Sequence, residues 1–218
     1  MNARLTDLRR PVILVVVVER LCQEVTKAMA RQSKREEIAQ AALRQFHERG
    51  FSATGISDIT VAAGAPKGSF YNHFASKEEC ALEALTRYAD GLRFDLLTTR
   101  GRPALERLRA HFEFLGEDTI SSGFAKGCLV GNFSAEVADH SAELRSAIKR
   151  GLDQWALLIS QVLAEAQAAG ELSGSLDAGA TAVFILSAWE GTLLVARGEK
   201  SSAPFDAFFT TVFDVILR

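Results

Sequence analysis

The chain has 218 residues, of which 48% are hydrophobic and 24% charged, enough for one or two domains with a sizeable core. Its net charge of −2 gives no overall basic balance, so any contact with nucleic acid rests on a local surface. Three cysteines (Cys22, Cys80 and Cys128) form an odd set without CxxC spacing, which argues against a disulfide framework or a zinc centre and for a reducing, cytoplasmic compartment; no motif implies a metal or a cofactor.

Residues 1–32 read as an N-terminal extension. Residues 1–33 carry six Lys/Arg against three acids, a basic leader that touches phosphates or is simply solvated. Val12 to Val18 is an apolar run far below the roughly 20 residues of a membrane span. It ends at Glu19 with no small-residue cleavage pattern, so neither a signal peptide nor a membrane partner is expected. Its β-branched residues favour a strand, yet no partner strand is offered nearby.

Helical patterning begins at Ser33, where Glu36 three residues later suggests a capping box. Ile38, Ala42, Leu43 and Phe46 line one face, Gly50 ends the helix, and Phe51 plugs the core. Lys34 and Arg35 stand where a nearby phosphate backbone could use them. The central stretch is Thr54 to Phe74, TGISDITVAAGAPKGSFYNHF. Ile56, Ile59, Val61, Ala62 and Ala63 make a short amphipathic helix, and Gly64 suits a tight turn. Pro66 then opens a second helix bearing Lys67, Gly68, Ser69, Tyr71, Asn72 and His73, all able to donate hydrogen bonds. This is the geometry of a helix-turn-helix whose second helix enters a major groove. On turn chemistry alone, the same Ala-Gly corner also joins short helices in proteins that bind no DNA.

Ser76 with Glu79 starts a fourth helix, running through Ala81, Leu85, Tyr88 and Leu92 to about Leu97. Lys77 in its first turn is placed for a phosphate or is a solvated charge, and Cys80 reads as packing. Pro103 opens the next helix, with Leu105, Leu108, Phe112 and Leu115 on its apolar face. A long helix spans about Ser141 to Ala169, Asp177 caps another, and Pro204 opens the last. No strand alternation or repeat appears, so the fold class is all-α. The division is a helix-turn-helix DNA-binding domain at 33–78 and a helical regulatory and dimerisation domain at 79–218. The last two helices carry more apolar surface than one subunit buries, and Ala188 and Gly191 permit close approach, which suggests a homodimer through a four-helix bundle.

Thr54, Asp58, Ile59, Ala63, Gly64, Pro66 to Tyr71, His73, Phe74 and Ser76 to Glu78 closely resemble the DNA-binding signature of TetR-family transcriptional regulators. Thr60 departs from the alanine usual there. The run Lys126 to Asn132 resembles the C-terminal domains of the NemR-like and AcuR-like branch, which respond to reactive electrophiles or small unsaturated acids. The resemblance implies a homodimeric repressor that binds a palindromic double-stranded DNA operator and is released by a small-molecule effector or an electrophile. Lys67, Tyr71 and His73 are then the expected DNA contacts, with Thr54 and Lys77 on phosphates. Because the resemblance starts only near Ser33, Met29 is the expected natural start and residues 1–28 an upstream translated extension, the alternative being an extra helix packed on the dimer.

Cys128 is the sharp candidate for sensing. At a helix N-terminus with Lys126 nearby, a thiol is expected to have a lowered pKa and to react with oxidants or electrophiles. The plain alternative is a buried small hydrophobe between packed glycines. His111, Phe112, Phe133, Trp155 and Trp189 are candidates to line a ligand pocket, or ordinary core. Arg145 and Arg197 either pair with an acidic ligand or stay on the surface. The reading from another class is an enzyme, or a sensor acting on electrophiles, that uses Cys128 as nucleophile with His111 or His140 as base. For the start site the deciding measurement is the intact mass of the native protein, expected to lack residues 1–28; their presence would overturn that assignment.

Overall fold

The computed structural model describes residue 31 and residues 33–218, so the expectations for the leader, Cys22 and the Met29 start lie outside the described residues. Among the described residues the fold is all-helical, with no strand. An N-terminal head is built from α1 (33–49), α2 (Ile56–Ala62) and a 3-10 turn (Lys67–Asn72). The body contains α3 (Lys77–Gly91), α4 (Asp95–Thr98), α5 (Ala104–Ser121), α6 (Leu129–Val137), α7 (Ala142–Ala168), α8 (Ala178–Glu199) and α9 (Ala203–Phe209), which continues into a π-helical turn at Thr210–Ile216.

Ser33 does not cap α1. It lies inside a helix that already includes residue 31, and its hydroxyl faces Glu37 at 3.4 Å. Gly50 does end that helix, at φ +83°, and a Cβ there would sit 2.2 Å from Glu136 Oε1. Glycine is therefore favoured by conformation, and a side chain there would also push the Glu136 carboxylate aside. Ile38, Ala39, Ala42 and Phe46 of α1 are buried with Ile59, Phe70 and Phe74, forming the core of the head.

The caps follow the sequence closely. Ser76 Oγ accepts from the Glu79 N–H at 3.1 Å, Ser141 Oγ from Leu144 at 3.3 Å, and Asp177 Oδ1 from Ala180 at 2.9 Å. Each fixes an orphan donor of a first helical turn. The fourth helix is shorter than expected. It stops at Gly91, Arg93 takes φ +54°, and α4 starts anew at Asp95, held by Arg93 bonds to the Asp95 carboxylate at 2.8 and 2.9 Å. This break lets Phe94 turn inward against the rings of His111 and Trp155.

The body has a polar centre. Trp155 Nε1 donates to His111 Nε2 at 3.1 Å, with both side chains buried. Arg107, 5% exposed, donates to the Leu97 carbonyl at 2.5 Å and pairs with Glu165. Around them Phe112, Trp189, Phe205 and Phe208 form a continuous aromatic cluster, with ring centroids 5.0 to 5.5 Å apart. α8 differs from its neighbours. Phe184, Leu194 and Val195 are 53, 73 and 47% exposed, and by length and composition alone the helix is apolar enough to cross a membrane.

Two measurements follow. Ser76→Ala is expected to lower stability by about 1 kcal/mol in urea unfolding, the usual loss of an N-cap. Burial pushes the His111 pKa down to about 4 from an ordinary value of 6.5, so unfolding gains a proton between these limits and stability falls as pH drops through that window. The loss between pH 7 and pH 5 should be about 2 kcal/mol, and should shrink by that amount in His111→Gln.

Candidate functional site

The candidate nucleic-acid surface of the head is made by a tight corner. At the end of α2 the Ala65 N–H bonds the Thr60 carbonyl at 2.9 Å and the Gly64 N–H bonds Val61 at 3.0 Å. This paired closure needs the left-handed Gly64, at φ +58°. Thr60 is buried and turns its hydroxyl back onto the Ile56 and Ser57 carbonyls, so the polar replacement for alanine is satisfied locally. At the start of α2 the Asp58 carboxylate accepts from the Gly55 N–H at 2.8 Å and faces Arg49 at 3.5 Å. Chiefly the first contact holds its pKa below the usual range.

The second element is a 3-10 turn of six residues, shorter and tighter than the helix expected from the sequence. Phe70 anchors it in the core and stacks edge-on against Tyr71 at 5.5 Å. Anchoring one ring turns the next outward: Tyr71 is 60% exposed, and Lys67, Gly68 and Asn72 are exposed beside it. A Cβ at Gly68 would meet nothing within 4 Å, so this backbone is open to a close partner. Ser69 turns its hydroxyl onto the Pro66 carbonyl at 2.8 Å, and His73 is partly buried below the turn. Burial, then the charges of Arg31 and Arg35, lower the His73 pKa. Arg31 reaches the Asn72 carbonyl at 2.8 Å and adds a cation to this face.

One expected phosphate contact is corrected. Thr54 is fully buried and its hydroxyl lies against the Gly50 and Gln45 carbonyls, at 2.7 and 3.1 Å, so it fastens the end of α1 instead. The Lys77 ammonium lies 4.1 Å from the centroid of the Phe51 ring and feels Glu136 of the body, with burial as the main cause of a lowered pKa. Lys77 thus lies beside the joint between head and body and stays partly exposed.

That joint is dense. Phe133 of α6 packs edge-on against Phe46 at 5.6 Å and Phe51 at 5.7 Å. Glu136 Oε2 accepts from the Ser52 N–H at 2.8 Å. His47 Nε2 bonds the Gly127 carbonyl at 2.5 Å, and its ring meets Tyr88 edge-on at 5.1 Å. Behind this contact is a cavity of about 260 Å³ reached by both parts of the chain: Leu43, Arg44 and His47 from α1, and Tyr88, Lys126, Trp155 and Trp189 from the body. Of the five aromatic or histidine candidates, the two tryptophans line it. His111, Phe112 and Phe133 are instead fully buried core. Arg44 and His47 went unnoticed because the apolar face of α1 accounts for its helix without them; the signal was His47 four residues after Leu43 of that face. A further cavity of about 470 Å³ lies between α3, α4 and α7, lined by Leu82, Leu85, Phe94, Ile148 and Trp155.

Cys128 does stand at the N-terminus of α6, but its environment reverses the expected acidity. The thiol is 3% exposed, and burial followed by the nearby Glu190 carboxyl push its pKa up, outweighing the Gly131 N–H and the Tyr88 hydroxyl. Glu190 is also raised by burial, and its Oε1 has no hydrogen-bond partner. Cys80 is buried packing, its thiol pushed up to about 12 by burial. Neither expected base serves Cys128: His111 is engaged with Trp155, and His140 is exposed. No cluster of three or more metal-binding side chains occurs among the described residues.

Residues 38–84 match the family of bacterial regulatory proteins, tetR family, and residues 104–212 match the tetracyclin repressor-like C-terminal domain. The chain is 33% identical over 192 residues to the HTH-type transcriptional repressor DhaR of Mycobacterium sp., covering 87% of this chain and 95% of that one. It is 34% identical over 179 residues to the transcriptional regulator AcuR of Cereibacter sphaeroides, covering 81% and 82%. The crystal structure of the reduced form of Escherichia coli NemR aligns with a TM-score of 0.75 at 30% identity, covering 84% of this chain and 97% of that one. These relatives are transcriptional regulators and not enzymes, which overturns the reading of Cys128 as an enzymatic nucleophile. The chain belongs to the TetR family of bacterial transcriptional regulators.

Proposed function

We propose that the protein is a cytoplasmic repressor that binds a palindromic DNA operator as a homodimer and is released when a small molecule occupies its body. The observation that carries the DNA reading is the outward face of the 3-10 turn. Phe70 is sunk in the core while Tyr71, Lys67 and Asn72 stand free, with open backbone at Gly68. A phenol, an ammonium and an amide on one tight corner suit phosphate positioning and base-edge contacts in a major groove. Pro66, Ser69 and His73 shape this corner, and Arg31 extends its positive charge. In this reading the domain boundary falls near residue 78, just inside the first turn of α3.

The homodimer reading rests on α8. Val183, Phe184, Leu194 and Val195 are exposed, and a groove of about 480 Å³ runs between α8 and the last helix beside Ala188 and Gly191. A second copy covers this face without placing Glu190, Arg197 and Glu199 of the same helix in lipid. Release by a reversible ligand is favoured over modification of Cys128, because burial suppresses the thiolate that an electrophile needs.

Three outcomes are expected. In a fixed-salt titration of the protein's own upstream DNA, Lys67→Ala and Tyr71→Ala should each weaken binding by about tenfold or more with unchanged helicity. Unchanged affinity in both variants would remove the turn from the interface. Leu194→Glu should yield monomers in sedimentation that no longer hold the operator; a stable dimer would overturn the α8 interface. In native protein a thiol-reactive disulfide should modify Cys128 slowly, and rapidly in denaturant. Fast native modification that releases DNA, abolished in Cys128→Ser, would make the cysteine the sensor.

A further inference from the structure

The cavity between head and body has a chemical preference. Four rings face it, those of Tyr88, Phe114, Trp155 and Trp189. Its charged lining is Arg44, Arg87, Lys126 and Asp118. Arg87 is already committed to Glu36 and Glu83. Arg44, Lys126 and Asp118 form no ion pair among the described residues, which leaves two cations against one carboxylate. Of its two tryptophan walls, Trp155 has its N–H satisfied by His111, whereas Trp189, fully buried, has an indole N–H without an acceptor. A buried donor left unpaired is a standing cost that a ligand carrying an acceptor can remove.

We propose that this cavity is the effector site and that it takes a small organic anion with a planar apolar body, a one-ring aromatic carboxylate. The inference rests on the reading of the chain as a ligand-released regulator, and gives that ligand a chemical class. A volume of about 260 Å³ accommodates roughly a dozen non-hydrogen atoms at ordinary packing density. The ring lies among the aromatic walls, where offset and edge contacts favour a flat body. The carboxylate meets Lys126 or Arg44, whose charge-assisted bonds distinguish it from a neutral analogue. Because α1 supplies Leu43, Arg44 and His47, an occupant presses on the head directly. The strain falls on the His47 bond to Gly127, which ties α1 to the loop entering α6.

The chain's two tryptophans both line the cavity, so intrinsic fluorescence of the full-length protein reports occupancy without DNA. Benzoate, benzamide and benzylamine are titrated as anionic, neutral and cationic probes of one shape. The expected result is a saturable change with benzoate that is tighter than with either analogue. Lys126→Gln or Arg44→Gln should weaken benzoate by about tenfold and leave benzamide unchanged. Trp189→Phe, which keeps a ring and removes the N–H, should weaken both acceptor-bearing probes, read through Trp155. Absence of a saturable response, equal binding of benzamide or benzylamine, or benzoate binding indifferent to both cation substitutions would each overturn the assignment. Operator release is measured separately. Benzoate bound to a protein that never holds its operator overturns the regulator reading and leaves the site standing; benzoate bound without release overturns the coupling to α1.

Discussion

Phe133 is the contact on which the arrangement depends. It stands on α6 and packs edge-on against the stacked pair of Phe46 and Phe51, at the end of α1 and just beyond it. The three rings are the apolar centre of the joint, and polar bonds surround them: His47 to Gly127, Ser52 to Glu136, and Lys77 over the Phe51 face. Dispersion between close-packed rings is short-ranged, so a small displacement of α6 loses much of the contact at once. A packed joint of this kind favours discrete positions over a continuous drift of the head.

The body solves a different problem. It holds an imidazole, two indoles and a guanidinium away from water. Trp155 Nε1 donates to His111 Nε2, and Arg107 is tied to a carbonyl and a carboxylate. Four buried atoms are left without partners among the described residues: Arg107 Nε, His111 Nδ1 and, on α8, Trp189 Nε1 and Glu190 Oε1. Buried polar atoms that are half satisfied cost stability.

The sequence was most informative where local chemistry decides structure. Ser76, Ser141 and Asp177 announced helix starts that the fold keeps, and Gly50 and Gly64 marked corners that need positive φ. It misled where a neighbour decides. Ser33 looks like a cap but lies within a helix, and α3 ends early because Arg93 turns left-handed and sends Phe94 inward. Cys128 has the position of a reactive thiol, yet burial, and then Glu190 more than sixty residues away in the chain, push its acidity in the opposite direction. Thr54 belongs to a DNA-reading signature, but its surroundings employ it in fastening the end of α1. The cavity was only half legible, because Arg44 and His47 stand on a helix that its apolar face explained without them.

The exposed apolar face of α8 has a consequence for how such a protein changes over time. In the proposed pair, residues of α8 determine where two copies cross, and so how far apart their reading turns are held. In that proposed pair base preference would reside in a few side chains around Tyr71, and half-site spacing would be set more than a hundred residues later in the chain. The two properties can then diverge independently. A change at Val183 or Leu194 would alter which distance between half-sites is accepted while the letters within each half-site stay the same.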